Sequence, residues 1–261
     1  MNDTLESKGA ALVTGAGTRL GLAIAQALAA DGWAVAFHGN SSLGTTEAAV
    51  KEVEAAGGRA VALQADLSDP DAAAGLVERA GVALGPLTLL VNNAAVFVPD
   101  RIRTTKPETI NANIGVNLIA PILLTQAFAL QIPGELDGHV INILDQRVNN
   151  LTPAYMSYTA SKCALAALTQ TWALELAPQI RVNGVGPGMA LPDHDGDEAD
   201  MKRWTQGYPL QRGTSPREIC DAVRFLLATP SVTGQTLCLD GGQSLGWLHP
   251  QGGYPLKPGQ E

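Results

Sequence analysis

Short, almost wholly apolar runs alternate along the chain with longer segments whose apolar residues recur every three or four positions. The runs at 10–13, 33–38, 59–64, 87–91 and 139–144 have the length of strands, and the segments at 22–30, 47–56, from about 70, at 116–130 and from 155 onward have helical period. Punctuation agrees with this division. Gly57-Gly58 closes the second helix, and Pro70 stands where a helix begins. The run 87–91, Leu-Thr-Leu-Leu-Val, is nearly all apolar, as expected of a strand covered on both faces of a parallel sheet. A strand at 180–183 and a loop at 184–188 follow the long helix, and a helix at 217–228 and a strand at 236–239 complete the pattern. Strands alternating with helices throughout predict a doubly wound parallel sheet, with its ligand crevice at the carboxyl ends of the strands.

Two stretches depart from the alternation. Residues 192–204 lose their apolar period and turn acidic at Asp193, Asp195, Asp197, Glu198 and Asp200. No complete calcium-loop pattern is present, so a solvated lid over about 190–212 is expected in place of a cation site. The tail, 246–261, is rich in Gly and Pro and periodic in nothing, so it is either disordered or lies across a neighbouring subunit. With residues 1–8 polar and expected to be disordered, 9–245 reads as one α/β domain of Rossmann type flanked by helices, a size that 261 residues accommodate.

A net charge of −8 argues against nucleic acid as a partner, because phosphate backbones need a basic surface. Cys163, Cys220 and Cys238 lie far apart, are odd in number and match neither a metal spacing nor a disulfide framework. They are expected to be small reduced core residues of a cytoplasmic protein. No apolar run reaches bilayer length and residues 1–8 lack a signal-peptide pattern, so no membrane role is expected.

The first strand runs into Thr14-Gly15-Ala16-Gly17-Thr18-Arg19-Leu20-Gly21 and then a helix. That order suits a dinucleotide, since glycine lets the backbone approach a pyrophosphate and the helix N-terminus presents N–H groups to it. After the second strand no acid is available for a ribose 2′-hydroxyl. Arg19, Asn40, Ser41 and His38 are donors or potential donors for a 2′-phosphate, which favours NADP(H), although His38 can equally be a buried strand residue. Asp66 ends the third strand, where it can accept from an adenine amino group or cap the following helix. The small residues of Asn92-Asn93-Ala94-Ala95 let a cofactor lie close to the backbone. Tyr158 and Lys162, four apart on one helical face, form a candidate general acid whose phenolate the ammonium would favour.

These elements resemble the short-chain dehydrogenase/reductase family across nearly the whole chain, including Asn117, the Pro187-Gly188 loop and Asp240-Gly241-Gly242. The resemblance implies a homotetramer packed through the helices at 116 and 161 onward. It implies Tyr158 as proton donor, Lys162 on the nicotinamide ribose and Asn117 on a proton-relay water. It also implies cofactor contacts from Gly15, Arg19, Leu20 and Gly21, from Asp66 and Leu67, from Asn93, Ala94 and Ala95, and from Pro187 and Gly188. Two positions depart from the family pattern. Arg19 stands where a second glycine is usual, and Asp145 stands where a catalytic serine is expected, thirteen residues before Tyr158. A carboxylate there would repel a developing alkoxide, but it suits a ring nitrogen that must be protonated as hydride arrives. Both departures resemble the pteridine reductase branch, in which Phe97 would stack on the pterin, Arg19 would reach its edge, and Tyr155 and Trp204 would line the pocket. The function implied is NADPH-dependent reduction of a dihydropterin, dihydromonapterin or dihydrofolate. The rivals are an enoyl-thioester reductase using Tyr155 with Lys162, a generic carbonyl reductase, and a catalytically silent NADP(H)-binding module.

Overall fold

The computed structural model describes residues 8–192 and 196–245. Seven strands form one sheet: β1 (Ala10–Val13), β2 (Ala34–Gly39), β3 (Ala60–Gln64), β4 (Leu87–Asn92), β5 (Gly138–Ile143), β6 (Ile180–Pro187) and β7 (Thr236–Leu239). Their order is β3-β2-β1-β4-β5-β6-β7 and every neighbouring pair is parallel. Alternate residues feed two separate cores. Leu12, Leu90, Val140 and Val182 face α3 (Pro70–Leu84), α5 (Ala120–Gln131) and α6 (Met156–Glu175). Val13, Val91, Ile141 and Val185 face α1 (Arg19–Ala30), α2 (Leu43–Ala55) and α8 (Pro216–Ala228). Because both faces are covered, the strands read as continuous apolar runs without alternation. The chain winds outward from β1 to β3 and then crosses back to β4 beside β1, which places the switch in strand order, and the crevice it opens, after β1 and β4.

Three elements differ from expectation. The long helix begins at Pro107, not 116: α4 (Pro107–Ile114) passes through a π turn, Gly115–Ile119, directly into α5. Its first turns, Pro-Glu-Thr-Ile-Asn-Ala-Asn-Ile, carry a proline at the start and one acid in the first turn but no clear apolar stripe, so only its start signalled a helix. By length and composition the continuous helix Pro107–Gln131 would reach across a bilayer, unlike the shorter run read from the sequence. Here Leu124 and Phe128 are fully buried in the α3–α5–α6 core, whereas Ile119 and Leu130 are exposed, so burial accounts for only part of its apolarity. Residues 184–187 are the second half of β6, not a loop, since β6 is bonded on one side to β5 and on the other to β7, and a ladder on both edges overrides the low strand propensity of glycine.

The acidic segment also has a structural use. Asp197 caps α7 (Glu198–Thr205) by accepting from the Asp200 N–H at 2.8 Å, and Glu198 and Asp200 lie in the first turn, where negative charge is favoured. Asp193 and Asp195, residues 1–7 and the tail 246–261 lie outside the described residues. All three cysteines are free; Cys220 is buried, whereas Cys163 and Cys238 are only half-buried, so the core reading holds for one of them.

Candidate active site

A cavity of about 570 Å³ opens at the carboxyl ends of the strands, and one wall of it is the turn after β1. A side-chain carbon at Gly21 would lie 2.1 Å from the Gly15 carbonyl oxygen, so only glycine lets α1 start this close to β1. Arg19 holds φ at +54°, the left-handed region that glycine occupies freely, so the turn keeps a glycine-like backbone at this position despite the substitution. Its guanidinium donates to the Pro192 carbonyl at 2.9 Å, bridging the mouth of the cavity to the segment after β6. Thr14 and Asn93 stitch the two switch-point strands together. The Thr14 hydroxyl accepts from the backbone of Asn93 at 2.9 Å and of Ala94 at 3.0 Å, and the Asn93 side chain donates to the Thr14 carbonyl at 2.8 Å.

Every residue expected at the cofactor lines this cavity, from Gly15, Leu20 and Gly21 through Leu67, Ala94 and Ala95 to Pro187 and Gly188. His38 does so with a different task from the one expected. Its Nδ1 accepts from the Gly15 N–H at 3.1 Å and its Nε2 faces the Ala65 carbonyl at 3.1 Å, so both ring nitrogens are committed to backbone. Burial pushes its pKa below the usual histidine value, and the neutral ring braces the glycine turn; it is no donor for a phosphate. Asn40, Ser41 and Ser42 follow β2 on this wall, with no carboxylate among them. Asp66 is exposed and folds onto its own turn, accepting from the Ser68 N–H at 2.9 Å and hydroxyl at 2.8 Å, bonds that lower its pKa. It does not cap the next helix. That cap is Asp69, which accepts from the Asp71 N–H.

The opposite wall joins the carboxylate to the phenol. Tyr158 donates to Asp145 Oδ2 at 3.0 Å, thirteen residues apart in sequence. Arg147, which the sequence reading missed, completes the group as a buried ion pair with Asp145 at 3.2 Å. Phe97 stacks on Tyr155 with ring centres 4.1 Å apart and 9° between planes, and meets the Tyr158 ring edge-on at 4.6 Å. One face of Phe97 is thus taken by Tyr155 in this structure, while 42% of the residue remains exposed. Tyr155 owes its place to strained backbone, φ +59°, just before α6, where its own N–H donates to the Asp100 carbonyl at 2.9 Å. The Asp100 carboxylate in turn accepts from the Ser157 N–H at 3.1 and 3.2 Å and fixes the start of the helix that carries Tyr158.

The electrostatics differ from the expected pairing. Lys162 donates to the Ile143 carbonyl at 2.6 Å and sits 5.9 Å from the centre of the Tyr158 ring. Burial lowers its pKa from 10.5 to about 8, opposed by Asp145. The phenol of Tyr158 is pushed well above its usual value, first by burial and then by the charge of Asp145, with Arg147 pulling the other way. The phenol is therefore held protonated, and the expected lowering by Lys162 is not what governs it. Two expected residues lie outside the cavity lining. Asn117, on the π turn, accepts from the Val96 N–H at 2.7 Å and donates to the Val96 carbonyl at 2.8 Å, so its amide holds the strand-to-helix connection beside Phe97. Trp204 is half-buried on α7.

Residues 9–203 match the short chain dehydrogenase family. Among solved structures the chain is similar to FolM alternative dihydrofolate reductase 1 from Brucella canis, crystallised with NADP, at 40% identity and a TM-score of 0.90, covering 94% of this chain and 97% of that one. Among curated proteins it is 34% identical to a 3-oxoacyl-[acyl-carrier-protein] reductase of Synechocystis sp., covering 89% of this chain and 95% of the relative. It is 32% identical to pteridine reductase 1 of Leishmania tarentolae, covering 90% and 96%.

Proposed function

Because the chain belongs to the short-chain dehydrogenase family, we propose that it is an NADPH-dependent reductase of a pteridine ring, with a dihydropterin, dihydromonapterin or dihydrofolate as substrate. The glycine cradle and the acid-free wall after β2 fit NADP(H), with Arg19, Asn40 and Ser41 at its phosphates and Lys162 at its nicotinamide ribose. NADPH supplies the hydride. The protein supplies a slot with the Phe97–Tyr155 pair on one side, and a proton-handling pair, Asp145 and Tyr158, at the slot's end. Offset stacking on such a wall adds about 0.5–1.5 kcal/mol beyond burial for a flat heterocycle.

The observation that carries this reading is the 3.0 Å hydrogen bond from Tyr158 to Asp145. A ketone gains from a hydroxyl beside the tyrosine, because the carbonyl oxygen becomes an alkoxide in the transition state and a carboxylate repels it. A C=N bond asks instead for a proton on nitrogen, and a carboxylate that accepts from N–H groups helps to orient such a ring. The likeness to a 3-oxoacyl reductase makes ketone reduction the second reading. With purified protein and NADPH, turnover of dihydrobiopterin or dihydrofolate is expected to exceed that of acetoacetyl thioester by about 10²-fold or more in kcat/KM. The reverse ranking, measured by NADPH consumption, would reject the pteridine reading.

We further propose a homotetramer assembled through the helices that expose Ile119, Leu130 and Leu174, the last two 81% and 84% accessible. Light scattering after size exclusion is expected to give four times the chain mass of 27.1 kDa, and a monomer would refute the assembly.

A further inference from the structure

We propose that Arg147 is a positioning residue: its grip on Asp145 makes that carboxylate an acceptor and leaves delivery of the reaction proton to Tyr158. The inference rests on the reading of Asp145 and Tyr158 as the proton-handling pair, with Tyr158 as the donor, and adds the residue that holds the carboxylate in its accepting role. Arg147 reaches Asp145 by two routes. Its backbone N–H donates to Oδ1 at 2.8 Å, and its Nη1 lies 3.3 Å from Oδ1 and 3.2 Å from Oδ2. The remaining contact is the Tyr158 hydroxyl, donating to Oδ2 at 3.0 Å. Each of these contacts brings a donor to the carboxylate, which is how an acceptor-only, ionised group is satisfied. For Asp145 to act as an acid it would first have to give up one of these partners and take a proton of its own.

The phenol already carries its proton and is held neutral by burial and by Asp145, so it has only to turn its O–H from Oδ2 toward the substrate. In the step this implies, the Tyr158 O–H bond breaks as an N–H bond forms on the substrate. The hydride and its electron pair come from NADPH, and solvent returns a proton to the phenolate. Asp145 meanwhile receives hydrogen bonds from the substrate's ring or amino N–H groups. Arg147 also ties the acceptor to the aromatic wall, since its guanidinium carbon stands 5.3 Å from the ring centres of both Phe97 and Tyr155 and 6.0 Å from that of Tyr158. Arg147 is itself 5% exposed, so the grip is shielded from solvent screening. Among the described residues, the charged groups facing Tyr158 are Asp145 and Arg147 from the segment after β5 and Lys162 from its own helix; the Phe97 ring meets it edge-on.

A double-mutant cycle in the holoenzyme tests the proposal, using Arg147→Gln, Asp145→Asn and the pair together. Arg147→Gln alone is expected to lower kcat about tenfold or more while the KM for NADPH stays within about twofold. Added to Asp145→Asn, it is expected to change kcat by less than about threefold, because the group it positions has already been altered. A residue with a merely structural role would cost the same factor in both backgrounds, and that outcome overturns the proposal, as does an unchanged kcat. The second readout needs neither cofactor nor substrate. Near-ultraviolet titration of the tyrosines, with Tyr158→Phe identifying the Tyr158 component, is expected to show that ionisation displaced to higher pH in Arg147→Gln, since a cation that favours the phenolate is gone. No displacement overturns the grip. If the wild type reduces no pteridine, the functional reading fails while this titration still judges Arg147. Should Arg147→Gln fail to fold by circular dichroism, Arg147→Lys carries the same comparisons, with an intermediate loss expected from a cation that lacks the planar fork.

Discussion

Asp145→Ala is expected to reduce kcat for a pteridine substrate by about 10²–10⁴-fold, the range for removing a positioned proton-transfer partner. The carboxylate links three parts of the site: it accepts from Tyr158, pairs with Arg147, and faces the slot beside Phe97. Alanine removes the acceptor and takes the paired carboxylate from the buried Arg147 cation; losing one member of a buried pair costs about 3–5 kcal/mol. Part of the rate loss would then reflect a displaced wall, not lost proton handling. Asp145→Asn separates the two. It keeps the volume and one acceptor oxygen, though not the charge, so its thermal midpoint should fall less than that of Asp145→Ala while kcat still falls. Asp145→Ser restores a neutral hydroxyl beside the phenol and is expected to raise turnover of acetoacetyl thioester as it lowers turnover of dihydropterin. Steady-state rates on both substrates, with circular dichroism of each variant, decide the matter. Pteridine turnover unaffected by Asp145→Ala would remove Asp145 from the mechanism.

The sequence made some of this legible for a simple physical reason. A parallel sheet buried on both faces writes itself as short apolar runs, so β1, β4 and β5 and the order strand–glycine turn–helix could be read directly. Asp145 stood out because it replaced an expected hydroxyl at a fixed distance from Tyr158. What escaped notice depended on contacts that no local pattern encodes. Gly184 to Pro187 looked like a loop because glycine and proline are poor strand formers, yet β7 supplies a second ladder that holds them straight. His38 looked like a phosphate donor from its place at the end of β2, whereas the glycine turn and Ala65 close on both of its nitrogens. Asn117 was singled out for its family role, and the bonds its side-chain amide makes to both backbone groups of Val96 could not be read from its position. Arg147 was the costliest omission. An arginine two residues after a carboxylate reads as a surface charge, and only the short 3₁₀ turn Gln146–Val148 folds it inward over the rings of Phe97 and Tyr155. Its signal in the sequence was a single cation in the polar stretch Asp-Gln-Arg-Val-Asn-Asn directly after an apolar strand.

Lys162→Met is expected to abolish turnover and yet leave the unliganded protein as stable as the wild type at pH 7, or more so. Lys162 is 2% exposed and its amine titrates at about 8 instead of 10.5, mainly because burial disfavours the charge. That fall corresponds to roughly 3 kcal/mol of preference for the neutral amine. A lysine with a depressed folded-state value is charged in both states below about 8, so the folded state there carries the whole penalty. Between about 8 and 10.5 the folded amine is neutral while the unfolded one still binds a proton, and the penalty fades as pH rises. Methionine removes the penalty at every pH and fills much of the same volume, but it leaves the Ile143 carbonyl without its donor at 2.6 Å, which costs about 1–3 kcal/mol. The balance at pH 7 falls between neutral and about 2 kcal/mol in favour of the variant, and each kcal/mol moves the midpoint of a chain of this size by about 2–4 °C. Thermal melts at pH 7 and near pH 10 check the sign, because the wild type should gain on the variant as pH rises. A variant less stable at pH 7 by an amount that does not change with pH would show that the buried amine exacts no such penalty, and that the site is not built at the expense of stability.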